Sequence, residues 1–224
     1  KISYTENNGQ YLQGYTENIG FLGGAPTSFA FGSQVDIRNK ALENGWLVTR
    51  IDGGEYFNKT YSRTHYNKLD YTFTVKPFKD LNINLNASRN YSTQAGEFYR
   101  WNPSSTAFES QSRFESSTLT FTTISWGTAF AKMDSSFRSP IFQQMIANSQ
   151  QISQLIGVNN PNSSSLPGGY YDGYSATQQE VVIGSFLTAY TNSPIDNNTI
   201  NPRSNMPLPN WTINYAGLSK FAFA

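Results

Sequence analysis

Residues 69–91 read LDYTFTVKPFKDLNINLNASRNY. Leu69, Tyr71, Phe73 and Val75 alternate with Asp70, Thr72, Thr74 and Lys76. After Pro77-Phe78-Lys79-Asp80 the alternation resumes, with Leu81, Ile83, Leu85 and Ala87 set against Asn82, Asn84, Asn86 and Ser88. A period of two sends the apolar set to one face of a strand and the polar set to the other. Two such runs around a short break containing proline predict an antiparallel hairpin. One face is hydrocarbon and aromatic; the other is Asn, Thr and Ser. The pattern fits the wall of an outer-membrane barrel, lipid on one side and a wet lumen on the other. It fits a half-buried soluble sheet equally well, and alternation alone does not separate the two.

Composition narrows the classes. The chain has 224 residues, a formal charge of +1, 15% aromatic and only 14% charged residues. Many aromatics with little charge argue against a disordered chain. The near-neutral balance gives no electrostatic reason to bind nucleic acid. With no cysteine, disulfides, thiol catalysis and cysteine-type zinc sites are excluded. No apolar run approaches the ~20 residues of a membrane helix, whereas a barrel span needs about ten alternating residues. Lys1-Ile2-Ser3-Tyr4 already alternates and lacks the apolar core of a signal peptide. Both ends of the sequence are close to strand patterns, from which a piece of something larger is expected, with a processed mature protein as the alternative.

Strands are expected near the start, over 61–76, 81–101, 114–130 and 209–223, with a bulge near Thr122-Thr123 where the apolar phase shifts. A short helix is expected over 33–44, started by Ser33 with Asp36 and stopped by Gly45. Ser139-Pro140 starts a second helix that Gly157 ends. Thr177 with Glu180 reads as a capping box for a third, with Val182, Phe186 and Tyr190 along one side. Phe142, Met145 and Ile146 of the second and these three of the third read as small hydrophobic cores under loops or, where the strands form a wall, as the faces that pack on it. The division is therefore 1–130 strands and connections, 131–207 a helical insertion, and 208–224 a further strand. The fold class is mainly β, antiparallel, with α-helical insertions.

Catalytic chemistry is hard to build from this chain. His65 is the only histidine and reads as a polar strand residue. No nucleophile elbow, zinc, phosphate-loop, dinucleotide or calcium-loop motif occurs. Asp196-Asn197-Asn198 reads as a plain turn. Asp52 with Glu55, or Glu109 with Glu115, are the carboxylate pairs a glycosidase would need. Tyr170, Tyr171 and Tyr174 form an aromatic cluster that suits either a sugar platform or a self-packed loop. No catalytic, metal-binding or cofactor-binding residue is assigned, and no cofactor is expected.

Several phrases together carry a family resemblance: Gly45-Trp46-Leu47, Tyr56-Phe57-Asn58, Leu81-Asn82-Ile83-Asn84-Leu85, Arg89-Asn90-Tyr91, Phe142-Gln143-Gln144-Met145, and above all Pro207-Leu208-Pro209-Asn210-Trp211 leading to Gly217-Leu218-Ser219-Lys220. The chain resembles the C-terminal part of the SprA/Sov family, giant outer-membrane proteins of Bacteroidetes linked to gliding motility and type 9 secretion. The resemblance implies part of a large transmembrane β-barrel that conducts folded cargo proteins, with no enzymatic site. It implies outer-membrane lipid, the rest of the same barrel, a PorV-type small barrel, a periplasmic plug protein and secreted cargo as partners. Leu69, Tyr71, Phe73, Val75, Leu81, Ile83, Leu85, Trp211, Ile213 and Tyr215 would then face lipid, and Thr72, Thr74, Asn82, Asn84 and Asn86 the lumen. The short turn at 77–80 would lie in the periplasm, with the helical insertion also starting there. The competing readings are a TonB-dependent nutrient transporter and a secreted carbohydrate-binding or glycosidase β-domain.

Overall fold

The computed structural model describes residues 1–17, 36–51, 53–160 and 163–217. The fold is mainly β, built on an antiparallel five-stranded sheet with helices added. The elements in chain order are β1 (Ile2–Tyr11), α1 (Ile37–Glu43), β2 (Asn58–Val75), β3 (Leu81–Asn102), β4 (Ala107–Phe121), α2 (Trp126–Ala129), α3 (Pro140–Gly157), α4 (Gln179–Tyr190), α5 (Asn197–Ile200) and β5 (Asn210–Tyr215). The strand order is β1-β2-β3-β4, with β5 also on β3. The sheet is open among the described residues.

The register explains how β3 carries three neighbours. Residues 81–86 of β3 pair with β5, from Leu81 with Tyr215 to Asn86 with Asn210. Just beyond, the Thr122 amide donates to the Ser88 carbonyl at 2.9 Å, so the end of β4 meets β3 where β5 leaves off. The Leu208 amide in turn donates to the Thr122 carbonyl at 2.9 Å. β4 and β5 thus succeed each other along one edge of β3, and everything between Thr122 and Leu208 is extruded from the middle of that edge. This corrects the expectation of a strand continuing to residue 130. The phase shift at Thr122-Thr123 marks a strand end rather than a bulge, and Trp126–Ala129 is a helical turn. The left-handed residue in β4 is Ser112, at φ 50°.

The chain divides into two compact units. The first comprises Lys1–Thr5, Asn67–Tyr91 and the described residues from Ser117 onward. Its helical layer rests on α3 and α4, which bury Ile152, Val181, Leu187 and Ala189. Ser139 caps α3 by accepting from the Phe142 amide, with Pro140 in the first turn, as the sequence predicts. The expected facing residues differ. Phe142 and Ile146 are exposed, and α3 buries Asn148, Ser149, Ile152, Ser153 and Gly157 instead. Small side chains on both helices let the axes approach, and Asn148 Nδ2 donates to Thr188 Oγ1 at 2.9 Å across the contact. On α4, Phe186 does reach the sheet, edge-on to Phe121 with ring centroids 6.1 Å apart. The capping box does not form: the N-cap of α4 is Gln178 without a side-chain bond, and Thr177 pairs with Ser175.

The second unit comprises the described parts of Glu6–Tyr66 together with Ser92–Ser116. Its core is aromatic: Phe57, Tyr61 and Tyr99 are buried with Ala41 and Leu47, and Tyr15, Trp46, Trp101 and Phe108 pack around them. Phe108 stacks on Tyr99 at 5.0 Å and stands edge-on to Phe57 at 5.8 Å. α1 starts at Asp36, whose carboxylate accepts from the Arg38 amide. The expected cap Ser33 lies outside the described residues. Gly45, at φ 67°, stops the helix as expected. Gly14 sits at φ 76° against the Phe57 ring, where an added Cβ would fall 2.4 Å from Cε2. Gly14→Ala should therefore lower the melting temperature of this unit, at a cost of about 1–3 kcal/mol from overpacking and backbone strain. Thermal unfolding followed by near-UV circular dichroism checks this, and an unchanged midpoint would contradict it.

Candidate functional site

The surface that the sequence singles out is assembled from three strands of the first unit. Residues opposite each other in a sheet share a face. The β3–β5 register thus puts Leu81 with Tyr215, Ile83 with Ile213 and Leu85 with Trp211 on one side. Asn82 with Asn214, Asn84 with Thr212 and Asn86 with Asn210 occupy the other. Thr74 Oγ1 donates to Asn84 Oδ1 at 2.9 Å, which ties Thr74, and by alternation Thr72, to the amide face. Tyr71, Phe73 and Val75 then fall on the apolar face, with the Tyr71 and Phe73 rings 5.6 Å apart. The turn adds Phe78, edge-on to Tyr215 at 6.2 Å.

The apolar face is open. Phe73, Val75, Trp211, Ile213 and Tyr215 are each between 43% and 50% exposed. Leu81, Ile83 and Leu85 are half-buried, because strands flank β3 on both sides. Leu69 and Tyr71 are half-buried too. On the opposite face Thr72, Thr74 and Asn86 are exposed, and Asn82 and Asn84 half-buried. The sequence-predicted residues therefore come together as two faces of one patch. A contiguous apolar patch of this kind is unusual on a water-soluble surface.

The patch has a polar boundary that the sequence reading missed. Farther from the turn, the apolar face of β2 and β3 carries Asn67 and Arg89, both buried. The Arg89 guanidinium donates to the carbonyls of Arg203 and Asn205, the latter at 2.8 Å, and to Asn67 Oδ1 at 2.8 Å. Asn67 Nδ2 donates to the Tyr4 hydroxyl at 2.6 Å. The Tyr71 hydroxyl donates to the Pro207 carbonyl. These bonds seat the returning limb of the insertion on the same face as the apolar patch. The signal was present: Arg63, His65, Asn67 and Arg89 hold alternate positions that an uninterrupted apolar face would give to hydrocarbon.

The insertion therefore leaves the sheet at the end of the patch away from the 77–80 turn. It starts beside Ser88, part of the way along β3 from the turn; the strand count gave β4 and β5 separate places when they share one edge.

The remaining candidates disperse. His65 Nδ1 bonds Asn8 Oδ1 across β1 and β2, with Glu6 at 3.8 Å. Glu109 accepts from Asn102 at 2.6 Å and Ser105 at 3.0 Å; these bonds, helped by Arg100, hold its carboxyl below the usual range. Glu115 is 3.8 Å from Arg113. Six positions along one strand put Glu109 and Glu115 roughly 20 Å apart, too far for a glycosidase pair. Asp52 lies outside the described residues. The tyrosine loop packs on α3: Tyr170 bonds Ser149 at 2.8 Å, and Asn160 donates to the Tyr174 hydroxyl at 3.0 Å. Asp196 caps α5 through the Thr199 amide at 2.7 Å. A cavity of about 250 Å³ in the first unit is lined by Tyr91, Ser117, Ile156, Glu180, Ile183 and Asn197, among others. Among the described residues no cluster of acids or histidine is placed to hold a metal.

In the second unit, Arg38 is the electrostatic hub. It forks onto Asp36 at 2.6 Å, contacts Glu97, and lies over the Tyr61 ring at 4.2 Å. Burial works to raise the Asp36 carboxyl, but the hydrogen bonds and charge of Arg38 outweigh it and hold the group below its ordinary value. No family model matches the chain, and comparison with curated proteins finds no match.

Two outcomes follow from these contacts. Arg89→Ala strands the Asn67 oxygen and two backbone carbonyls at a cost of roughly 3 kcal/mol, so trypsin should cut after Arg203 faster than in the parent; an equal rate would mean the clamp is dispensable. Because the Asp36 pKa is lowered on folding, its contribution is complete above the ordinary carboxylate range and disappears as pH falls through the depressed value. Asp36→Asn should remove that acid-dependent step from a pH titration of tyrosine circular dichroism, and a superimposable titration would refute the assignment.

Proposed function

We propose that this chain is a wall-and-insert segment of a large outer-membrane β-barrel, a translocon that passes folded cargo through a wide polar lumen in type 9 secretion and gliding motility. The observation that carries the reading is the two-faced patch. Across three strands, one register-locked face is exposed hydrocarbon and aromatic, and the reverse is amide and hydroxyl. In water the first face has no reason to be open. In a bilayer it is the lipid-facing wall, and the second face lines the lumen.

On this reading the sheet is one part of the wall. Unpaired edge groups are not tolerated in hydrocarbon, so neighbouring strands of the same barrel would complete it. The sequence resemblance to SprA/Sov proteins points the same way and supplies the partners: a PorV-type small barrel, a periplasmic plug and secreted cargo. On this reading Leu69, Tyr71, Phe73, Val75, Leu81, Ile83, Leu85, Trp211, Ile213 and Tyr215 face lipid. Thr72, Thr74, Asn82, Asn84 and Asn86 face the lumen. Uncharged amides remain hydrated and offer cargo neither ion pairs nor apolar patches, so a folded protein slides past them. The short turn at 77–80 lies in the periplasm by the usual loop asymmetry, which puts the insertion toward the cell exterior.

Membrane fractionation of the native protein, followed by mass spectrometry of what co-purifies, tests this. Recovery in the outer membrane with a small barrel and secreted cargo supports it; a water-soluble, glycan-binding product would overturn it. A substitution pair separates the faces. Ile213→Arg should impair outer-membrane assembly, costing about 2–4 kcal/mol near the bilayer midplane, whereas at a water-exposed site the same change stays within about 0.5 kcal/mol. Asn86→Lys should assemble normally yet alter cargo transit. Normal assembly of the first variant, or unchanged secretion by the second, would remove the corresponding face assignment.

A further inference from the structure

The segment that leaves the sheet after β4 exposes large apolar side chains in close succession. Trp126 is 67% exposed, Phe130 84%, Met133 64% and Phe137 86%. Their backbone is organised. Trp126 and Phe130 bracket α2, whose Thr128 hydroxyl donates to the Tyr190 carbonyl at the end of α4. Beyond it, Asp134 Oδ1 accepts from the amides of Ser136 and Arg138, both at 2.8 Å, and the Asp134 and Phe137 amides close the turn. That turn holds Phe137 at φ 58°, a left-handed conformation costly for a bulky residue, and the ring it presents touches almost nothing. Lys132, between Phe130 and Phe137, and Arg138, just after Phe137, are exposed and make no ion pair among the described residues.

The segment is continuous with the apolar patch: the Trp126 ring stands edge-on to Trp211 with centroids 6.1 Å apart. Height supplies the argument for what covers it. The six residues of β5 rise ~20 Å along the strand. At a barrel tilt of ~40° that is ~15 Å of height, short of the ~25 Å apolar band of an outer-membrane barrel. The deficit must be met at the rims. Phe78 extends the patch at the turn, and Trp126 with the residues after it extends it at the opposite end. Aromatic rings with cations close by in sequence suit the layer where acyl chains meet headgroups.

We propose that residues 124–138 form a membrane-interface anchor, with Trp126, Phe130, Met133 and Phe137 inserted at the acyl–headgroup boundary and Lys132 and Arg138 on anionic headgroups. The anchor fixes the insertion against the bilayer surface at the rim of the wall. It rests on the lipid-facing reading of the patch, and the test keeps the two apart. The chain has no cysteine, so a nitroxide at Phe130→Cys, Phe137→Cys, Ile213→Cys or Asn82→Cys is its only label in this segment. The complete outer-membrane protein is reconstituted in vesicles of phosphatidylcholine and phosphatidylglycerol, and collisions with oxygen are compared with those of a water-soluble nickel chelate. The expected result is oxygen-dominated relaxation at 213, a smaller shift in the same direction at 130 and 137, and nickel-dominated relaxation at 82. Nickel-dominated relaxation at 130 and 137 with 213 still in lipid overturns the anchor alone. Nickel-dominated relaxation at 213 overturns the lipid wall and the anchor with it. Labels at 130 and 137 immobilised and shielded from both reagents mean that protein covers the segment, which also overturns the anchor.

Discussion

An unpaired strand edge is a template for unwanted pairing unless it is filled or protected, and β3 is longer than the strand that follows it. β4 satisfies β3 only as far as Ser88. The groups at residues 81–86 would be an open edge without β5, which arrives from far along the chain to fill that place. The Leu208-to-Thr122 hydrogen bond closes the seam between β4 and β5. The intervening helices are therefore obliged to leave from the middle of the sheet and to pack beside it. The position of the insertion, the limit of the apolar patch and the burial of Arg89 all descend from that one requirement.

Arg89 shows how the junction is held. Among the described residues its guanidinium has no carboxylate partner; Nη1 and Nη2 donate to two carbonyls and an amide oxygen, while the buried Nε has no partner. A planar fork suits this task, since it grips two carbonyls of one loop and one side chain at once. The cost of burying the cation is offset only while the loop stays in place, so the insertion and the sheet are specified together. In the other unit Arg38 plays a comparable part among Asp36, Glu97 and two tyrosine rings, this time with formal counter-charges.

Much of this was legible in residues. The hairpin around 77–80 follows from strict alternation, and α3 from Ser139, Pro140 and Gly157. The alternation in Trp211, Ile213 and Tyr215 gave the face of β5. Its partner was not legible, because pairing between distant strands leaves no local mark. The end of β4 was misread because Ile124, Trp126 and Phe130 look like core residues, while the structure leaves them exposed. The buried side of α3 was missed for the opposite reason: Asn148, Ser149 and Ser153 are polar, and they are inside because Thr188 of α4 bonds the first and the tyrosine loop, through Tyr170, Tyr171 and Tyr174, bonds the other two. The Thr177–Glu180 spacing promised a cap that Gln178 replaced, since spacing does not fix which residue turns first.

The filling of one edge by two distant strands has a consequence in time. Tyr71 and Pro207 meet across 136 positions, and such remote contacts are slow to form because the loop must close before any pairing rewards it. Until β5 arrives, the edge of β3 at residues 81–86 is unsatisfied, as chain synthesis proceeds through all the helices in between. The chain thus passes through a stage in which the edge of β3 and the apolar side chains beside it are present and the strand that pairs with that edge is not. A cell that makes this protein has to shepherd that surface, and the length of the insertion sets how long the escort must last.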